Sequence, residues 1–230
     1  MVKRLFDLSV AGAGLLAAAP VMLLLACWIK LDSRGPVLYR GRRAARGGGS
    51  FAMLKFRSMV TGADRVGGPT TAGDDPRVTR SGRFARRLKL DELPQLINVL
   101  RGEMSLVGPR PEVVDKVQRY SAEELRVMTL RPGITDWASI WNSDEGGVLA
   151  GAADADAAYE AVIRPWKIRL QQRYVDGCSL RTDLRILACT VLRVAGKRVS
   201  PPELADCPTF EELRRQVLAL PEQTATRLAA

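Results

Sequence analysis

The chain has 230 residues, enough for one domain, or one domain with an appendage, on a prior of roughly 150 residues per domain. Its 35 Lys and Arg outnumber 25 Asp and Glu, for a formal charge of +10, which favours phosphates, nucleic acid or anionic lipid as partners. It contains no histidine, which excludes a Ser-His-Asp triad, a Cys-His pair and His-ligated zinc and leaves proton transfer and metal binding to carboxylates, Lys, Tyr or Cys.

From Leu8 to Ile29 the chain reads LSVAGAGLLAAAPVMLLLACWI with no charge, long enough at 1.5 Å per residue to cross a hydrocarbon core of about 30 Å. The strongest apolar stretch follows Ala17, Ala18 and Ala19, the reverse of a cleaved signal peptide. Lys3 and Arg4 precede the segment, and Lys30, Arg34, Arg40, Arg42, Arg43 and Arg46 follow it. Positive charge on both flanks suits two cytoplasmic ends. Pro20 removes a backbone donor near the midpoint, so a kink or break is expected there. A re-entrant helix and a kinked spanning helix both stay open. Asp7 is read as an interfacial ion pair with Lys3 or Arg4.

Next, VLYR and FAMLKFRSM read as two short strands about a basic glycine-rich loop at Gly47, Gly48 and Gly49, which lacks P-loop spacing. Residues Thr61 to Pro76 read as a loop, and Ser81 as the cap of a basic helix with Arg83, Arg86, Arg87 and Lys89. In DELPQLINVLRG, Leu93, Leu96, Ile97 and Leu100 have helical spacing, and Gly102 stops the helix. MSLVGPRPE is extended, with Pro109 and Pro111 fixing the backbone about Arg110. A helix over Glu123 to Leu130 follows, then a weakly alternating ITDWASIW and helices over Tyr159 to Tyr174 and Leu180 to Val194. The tail carries a capping pattern from Thr209 to Glu212, and its helix either packs on the domain or pairs with a second copy of the chain. The four cysteines, Cys27, Cys178, Cys189 and Cys207, form no CxxC pair; buried free thiols are expected.

The adjacent carboxylates Asp91 and Glu92 have two readings. As structure, Asp91 caps a helix and Glu92 complements its dipole. As chemistry, they sit between Arg77, Arg80, Arg83, Arg86, Arg87 and Lys89 upstream and Arg101 and Arg110 downstream, a field that clamps a pyrophosphate. A carboxylate nucleophile forms a phosphoryl intermediate without histidine, and two carboxylates with substrate phosphate suit Mg²⁺.

The block KLDELPQLINVLRGEMSLVGPRPE, preceded by GPVLYRGRR and LKFRSM and followed by LRPGIT, resembles the bacterial sugar transferase family, the monotopic phosphoglycosyl transferases, from about Lys3 to about Val194. The resemblance implies an α+β, mainly helical fold: a re-entrant helix broken at Pro20 over residues 1–34, a cytoplasmic catalytic domain with amphipathic interfacial helices over 35–195, and a tail over 196–230. It implies transfer of a sugar-1-phosphate from a UDP-sugar to polyprenyl (undecaprenyl) phosphate with Mg²⁺ and release of UMP, initiating lipid-linked glycan synthesis at the cytoplasmic face of the bacterial inner membrane. Asp91 then resembles the nucleophile and Glu92 its partner at the metal or as base. Arg110, Arg86, Lys55 and Arg57 resemble phosphate-binding positions near the active site.

Two departures stand out. Ala19 occupies a position that is Ser in many relatives, and DWASIWNSDEG replaces a common GWAQVNGRN, leaving Asp136, Ser139 and no second Arg. The chain has the length of the family's minimal catalytic form. The competing class is a membrane-tethered basic protein that binds anionic lipid or nucleic acid without catalysis. It gives no reason for DELPQ beside GPRPE, and at 6% aromatic residues base-stacking platforms, and hence nucleic acid, are not expected.

Overall fold

The structure, a computed structural model, describes residues 1–66, 68, 70–197 and 199–220. It opens on a 31-residue helix, α1 (Val2–Asp32), long and apolar enough to cross a membrane. An antiparallel hairpin follows, β1 (Leu38–Ala44) and β2 (Ser50–Phe56), in the register Tyr39 to Lys55 and Gly41 to Met53. Then come α2 (Arg80–Arg87), α3 (Gln95–Arg101), β3 (Ser105–Val107), the short α4 (Val114–Val117) and β4 (Gly133–Thr135). Strands β3 and β4 pair in parallel. The rest is helical: α5 (Trp137–Trp141), α6 (Glu145–Leu149), α7 (Ala155–Ala158), a π-helical turn over Tyr159–Ile163, α8 (Arg164–Asp176), α9 (Leu180–Val194) and α10 (Phe210–Leu218).

Three apolar clusters hold these elements. The main one gathers Val99, Met104, Leu106, Trp137, Leu170 and Ile186 from α3, β3, α5, α8 and α9. A second joins Val148, Leu149, Tyr159 and Ile163 to Leu213 and Val217 of α10. The tail helix therefore packs on its own domain, with a complete capping box between Thr209 and Glu212; burying Leu213 and Val217 contributes roughly 1.5–3 kcal/mol each. The third cluster seats Leu25 and Ile29 of α1 on Phe56 and Ala85.

Helix α1 is docked at both ends to the same domain. Near its start, Lys3 donates to Asp183 at 2.6 Å and to the Val107 carbonyl at 3.0 Å. Asp7, only 3% exposed, accepts from Ser105 Oγ at 2.8 Å and Leu106 N at 3.2 Å. This corrects the expected interfacial pair: Lys3 is taken by Asp183, and Asp7 serves the backbone of β3. At the other end, Asp32 accepts from the backbone and hydroxyl of Ser81, both at 2.8 Å. The side of α1 turned from the domain leaves Leu16, Leu23 and Leu24 between 67% and 80% exposed.

The break expected at Pro20 is not what the structure has. One helix runs through it. Pro20 and Leu16, whose carbonyl loses its helical partner to the proline, are both exposed. The strain therefore falls on the face away from the domain, and the docked stripe continues past it.

Arg57 also departs from its sequence reading. It is 5% exposed and donates to the carbonyls of Ile29 (3.2 Å), Ser33 (2.7 Å) and Arg34. A helix C-terminus leaves carbonyls unpaired and carries partial negative charge, so Arg57 caps α1, away from the cleft that Asp91 and Glu92 line. The cysteines are free, but Cys27 and Cys178 are exposed and the other two half-buried. The segment read as weakly alternating forms α5, because Asp136 caps it through Ser139 N at 2.7 Å. The cap of α2 is Thr79, with Ser81 serving Asp32.

Arg57→Met should lower the melting temperature by about 4–8 °C, the loss of roughly 2 kcal/mol of charge-assisted bonding in a chain of this size, with KM for substrate unchanged within about twofold. A KM raised without a change in melting would return Arg57 to the binding machinery.

Candidate active site

The cap reading of Asp91 fails on geometry. Asp91 and Glu92 lie in a 3-10 turn, Leu90–Glu92, ahead of α3, and the N-cap of α3 is Pro94, without a side-chain bond. The dyad's two carboxylates are differently occupied. Glu92 accepts from Lys55 Nζ at 2.8 Å through Oε1, and from Arg110 Nη1 at 3.1 Å through Oε2; Arg110 Nη2 also meets Oε1. Asp91 is 6% exposed, and its carboxylate accepts no hydrogen bond among the described residues.

Local folding explains the clamp. Lys55 reaches Glu92 from β2. Arg110 arrives from the turn after β3, where Gly108 and Gly133 pass so closely that a Cβ on either would meet the other's backbone. The Gly108 and Gly133 amides bond across to Thr135 O at 3.1 Å and Pro109 O at 3.0 Å. Buried Asp136 accepts from Arg110 N at 3.1 Å and Gln171 Nε2 at 3.2 Å. The divergent segment therefore supplies the anchor of the Arg110 backbone.

These groups face a cleft of about 590 Å³ lined by Lys55, Arg86, Asp91, Glu92 and Arg110. Of the positions that resemble phosphate-binding ones, Arg57 alone lies elsewhere; of the wider cationic field, Arg77, Arg80 and Arg101 do not line the cleft, and Arg77 pairs with Asp75. Burial raises the Asp91 carboxyl above the usual carboxylate range; Lys55 pulls it down, Glu92 pushes it up, and Arg86 and Lys89 pull it down. Burial would also raise Glu92, but Arg110 and Lys55 overcome it and hold this carboxyl far below its ordinary value. Burial pushes the Lys55 ammonium down against the pull of Glu92.

Sequence reasoning missed the far wall. Glu112 accepts from Tyr159 Oη at 2.8 Å and Lys167 Nζ at 3.0 Å, and Lys167 donates to Tyr159 Oη at 2.6 Å. Despite burial, Lys167 holds Glu112 down to about 2. Glu112 ends the GPRPE block, which was the available signal. Tyr159 and Lys167 are 47 and 55 residues away and gave none.

No cluster of three or more metal-ligating acids or thiols occurs among the described residues. Asp91, with free oxygens, fits one carboxylate ligand of a Mg²⁺ whose other ligands are phosphate and water. Glu92 has Oε1 taken by Lys55 and Arg110 and Oε2 by Arg110 alone, which leaves one acceptor position at Oε2 for its expected role at the metal.

The family model described as "Bacterial sugar transferase" matches residues 1–197. The chain belongs to the bacterial sugar transferase family. It is 41% identical over 202 residues to an "Undecaprenyl-phosphate glucose phosphotransferase" of Komagataeibacter xylinus, covering 83% of this chain and 35% of that protein. It is 36% identical over 194 residues to the "Uncharacterized sugar transferase EpsL" of Bacillus subtilis (strain 168), covering 84% and 87%. It is 41% identical over 198 residues to a "UDP-glucose:undecaprenyl-phosphate glucose-1-phosphate transferase" of Caulobacter vibrioides, covering 82% and 68%. This sugar transferase thus spans about a third of the first of these and most of the second. The match stops at 197, so α10, which seats Leu213 and Val217 against Tyr159 and Ile163, lies beyond it.

For an Asp91 that acts as a carboxylate nucleophile, which needs its ionised form, the acid limb of activity should fall above the ordinary Asp value of 3.8, because burial raises its carboxyl. Glu92→Gln removes a like charge and releases Lys55 and Arg110 toward Asp91. The limb should therefore move to lower pH while turnover drops about tenfold or more, read from a pH profile of kcat/KM. A limb that moves upward contradicts this division of labour.

Proposed function

We propose that this chain transfers a sugar-1-phosphate from a UDP-sugar to polyprenyl (undecaprenyl) phosphate, through a covalent phosphosugar on Asp91, at the cytoplasmic face of a bacterial inner membrane. The observation that carries the reading is the asymmetry of the dyad: a nearly buried carboxylate, Asp91, with no hydrogen-bond partner among the described residues, opens on a cation-lined cleft beside a carboxylate, Glu92, held by Lys55 and Arg110. The names carried by the Komagataeibacter xylinus and Caulobacter vibrioides relatives support the substrate classes.

The chemistry is phosphoryl transfer in two displacements. An Asp91 oxygen bonds to the sugar-bearing phosphorus, and the bond from that phosphorus to the bridging oxygen breaks. The bridging oxygen keeps the electron pair, and UMP leaves. A polyprenyl phosphate oxygen then attacks the phosphorus on Asp91, and the P–O bond to Asp91 breaks. The carboxylate is restored, and the product is a lipid diphosphate sugar that begins a glycan. Glu92 acts throughout by holding Lys55 and Arg110, which orient phosphate oxygens. Arg86 and Lys89 face the same carboxylate. A Mg²⁺ held by Asp91 and substrate phosphate supplies further charge neutralisation when bound. Helix α1 meets the bilayer with its exposed leucine face while both its ends stay on the side of the domain, a topology supported by the docking of both ends to that domain.

Incubation of the purified protein with Mg²⁺, polyprenyl phosphate and a panel of UDP-sugars should release UMP from at least one of them. Release from none, with anionic lipid still bound, would favour the tether. Asp91→Asn should keep the fold, lower turnover by about 10³-fold or more, the scale of a lost nucleophile, and abolish the phosphosugar adduct seen by intact mass. An adduct that persists in this variant removes Asp91 from its role.

A further inference from the structure

The clamp that holds the dyad carries almost no net charge: Lys55 and Arg110 contribute two positive charges, and Glu92 and ionised Asp91 cancel them. A UDP-sugar diphosphate brings two negative charges into a cleft with low-dielectric walls, where unpaired charge is costly. The neutralising groups must come from elsewhere on the cleft wall. Two of its cations, Lys89 and Arg193, are in no ion pair among the described residues and converge on one residue. Lys89 Nζ donates to the Ser143 carbonyl at 2.7 Å, and Arg193 Nε to Ser143 Oγ at 2.9 Å. The carboxylate adjacent in sequence, Asp144, is turned to cap α6 through Gly147 N at 3.0 Å.

The backbone points the same way. Lys89 is the only non-glycine residue among those described with a left-handed conformation, φ 57° and ψ 18°. A lysine has no intrinsic reason to adopt it, and such backbone strain gathers at functional sites. Here it turns the chain two residues before Asp91 and sends the lysine across the cleft to the Asn142–Glu145 wall. Arg193 comes to the same wall from the last turn of α9. Two like charges held around a neutral serine, with donors to spare on each, make a receptor for an anion that bridges them.

We propose that Lys89 and Arg193 form a second phosphate subsite, which holds the nucleotide phosphate that leaves, across the cleft from Asp91. The inference rests on the UDP-sugar reading above. In-line displacement requires the leaving oxygen opposite the attacking one. Asp91 is the attacking group of the proposal, and the departing phosphate is put at the Ser143 wall, which receives both Lys89 and Arg193. The subsite acts in the first displacement, when the bond to UMP breaks, and is idle in the second, when the lipid phosphate attacks.

The test uses the full chain in detergent, with Lys89→Met, Arg193→Gln and Arg193→Lys. Each neutral variant should raise KM for the UDP-sugar and the inhibition constant for added UMP about 10- to 100-fold, the range of a lost charge-assisted contact. Arg193→Lys should recover most of the UMP inhibition. In the second half-reaction, wild-type and Arg193→Gln adducts freed of UMP and given polyprenyl phosphate should discharge at the same rate; Lys89, which also faces Asp91, is read in the first half-reaction only. UMP inhibition unchanged in both neutral variants overturns the subsite. So does discharge slowed as much as adduct formation, which would assign the pair to the lipid phosphate. If Lys89→Met does not fold, Arg193→Gln, on the rim of α9, carries the test alone. A parent protein that releases UMP from no UDP-sugar fails earlier, at the proposed reaction, and takes the subsite with it. With a parent that does release UMP, any failure of the variants bears on Lys89 and Arg193 alone.

Discussion

One carboxylate, Glu92, ties together the parts from which the site is built. Through it a strand residue, Lys55, and a turn residue, Arg110, are cross-linked to the 3-10 turn that carries Asp91. A buried charge cluster of this kind is costly unless its members satisfy one another, and here both oxygens of Glu92 are used. The neighbouring Asp91 gains its character by exclusion. With both nearest strong donors committed to Glu92, it keeps a free carboxylate in a place where burial makes that carboxylate basic. Basicity and availability are what the proposed nucleophile needs; burial supplies the first, and the second follows from what the adjacent residue has taken.

The wall around the dyad is assembled in the same manner. Arg110 bonds to Glu92 and the Ile134 carbonyl with its side chain and to Asp136 with its backbone. Asp136 in turn caps α5 and accepts from Gln171 of α8. Glu112, two residues along, is fixed by Lys167 and Tyr159, and Tyr159 packs under α10. A chain of contacts thus runs from the tail helix to the dyad: apolar packing of α10 on Tyr159, the Tyr159 bond to Glu112, the two residues of backbone from Glu112 to Arg110, and the Arg110 bonds to Glu92.

Much of this was legible where the signal is local. The hairpin, the stop of α3 at Gly102, the bounds of α9 and the capping box of α10 are all set by residues a few positions apart, and the structure has them. The dyad and Arg110 stood out because a long motif carried them. What was not legible depended on distant partners. Asp7 looked misplaced until Ser105 and Leu106 met it, about a hundred residues on. Arg57 sits two residues past Lys55, spacing that puts both on one face of a strand, but β2 ends at Phe56, and the chain there turns Arg57 to the open end of α1. Lys89 belonged to the cationic field read around the dyad, but nothing local brings Ser143 to it, and Arg193 carried no local signal. Pro20 marks the limit of propensity: its cost depends on which face of the helix it occupies, which the docked stripe decides.

The fastenings at the two ends of α1 also fix a height. Lys3 to Asp183 at one end, and Asp32 to Ser81 with the Arg57 cap at the other, leave the exposed leucines between them no freedom to sink or rise independently of the domain. Wherever an apolar phase receives Leu16, Leu23 and Leu24, the distance from its surface to Asp91 is set by protein geometry rather than by the thickness of the lipid. The proposed lipid acceptor would therefore meet the carboxylate at one depth, and how far its headgroup must rise from its own leaflet would be a constant of the fold.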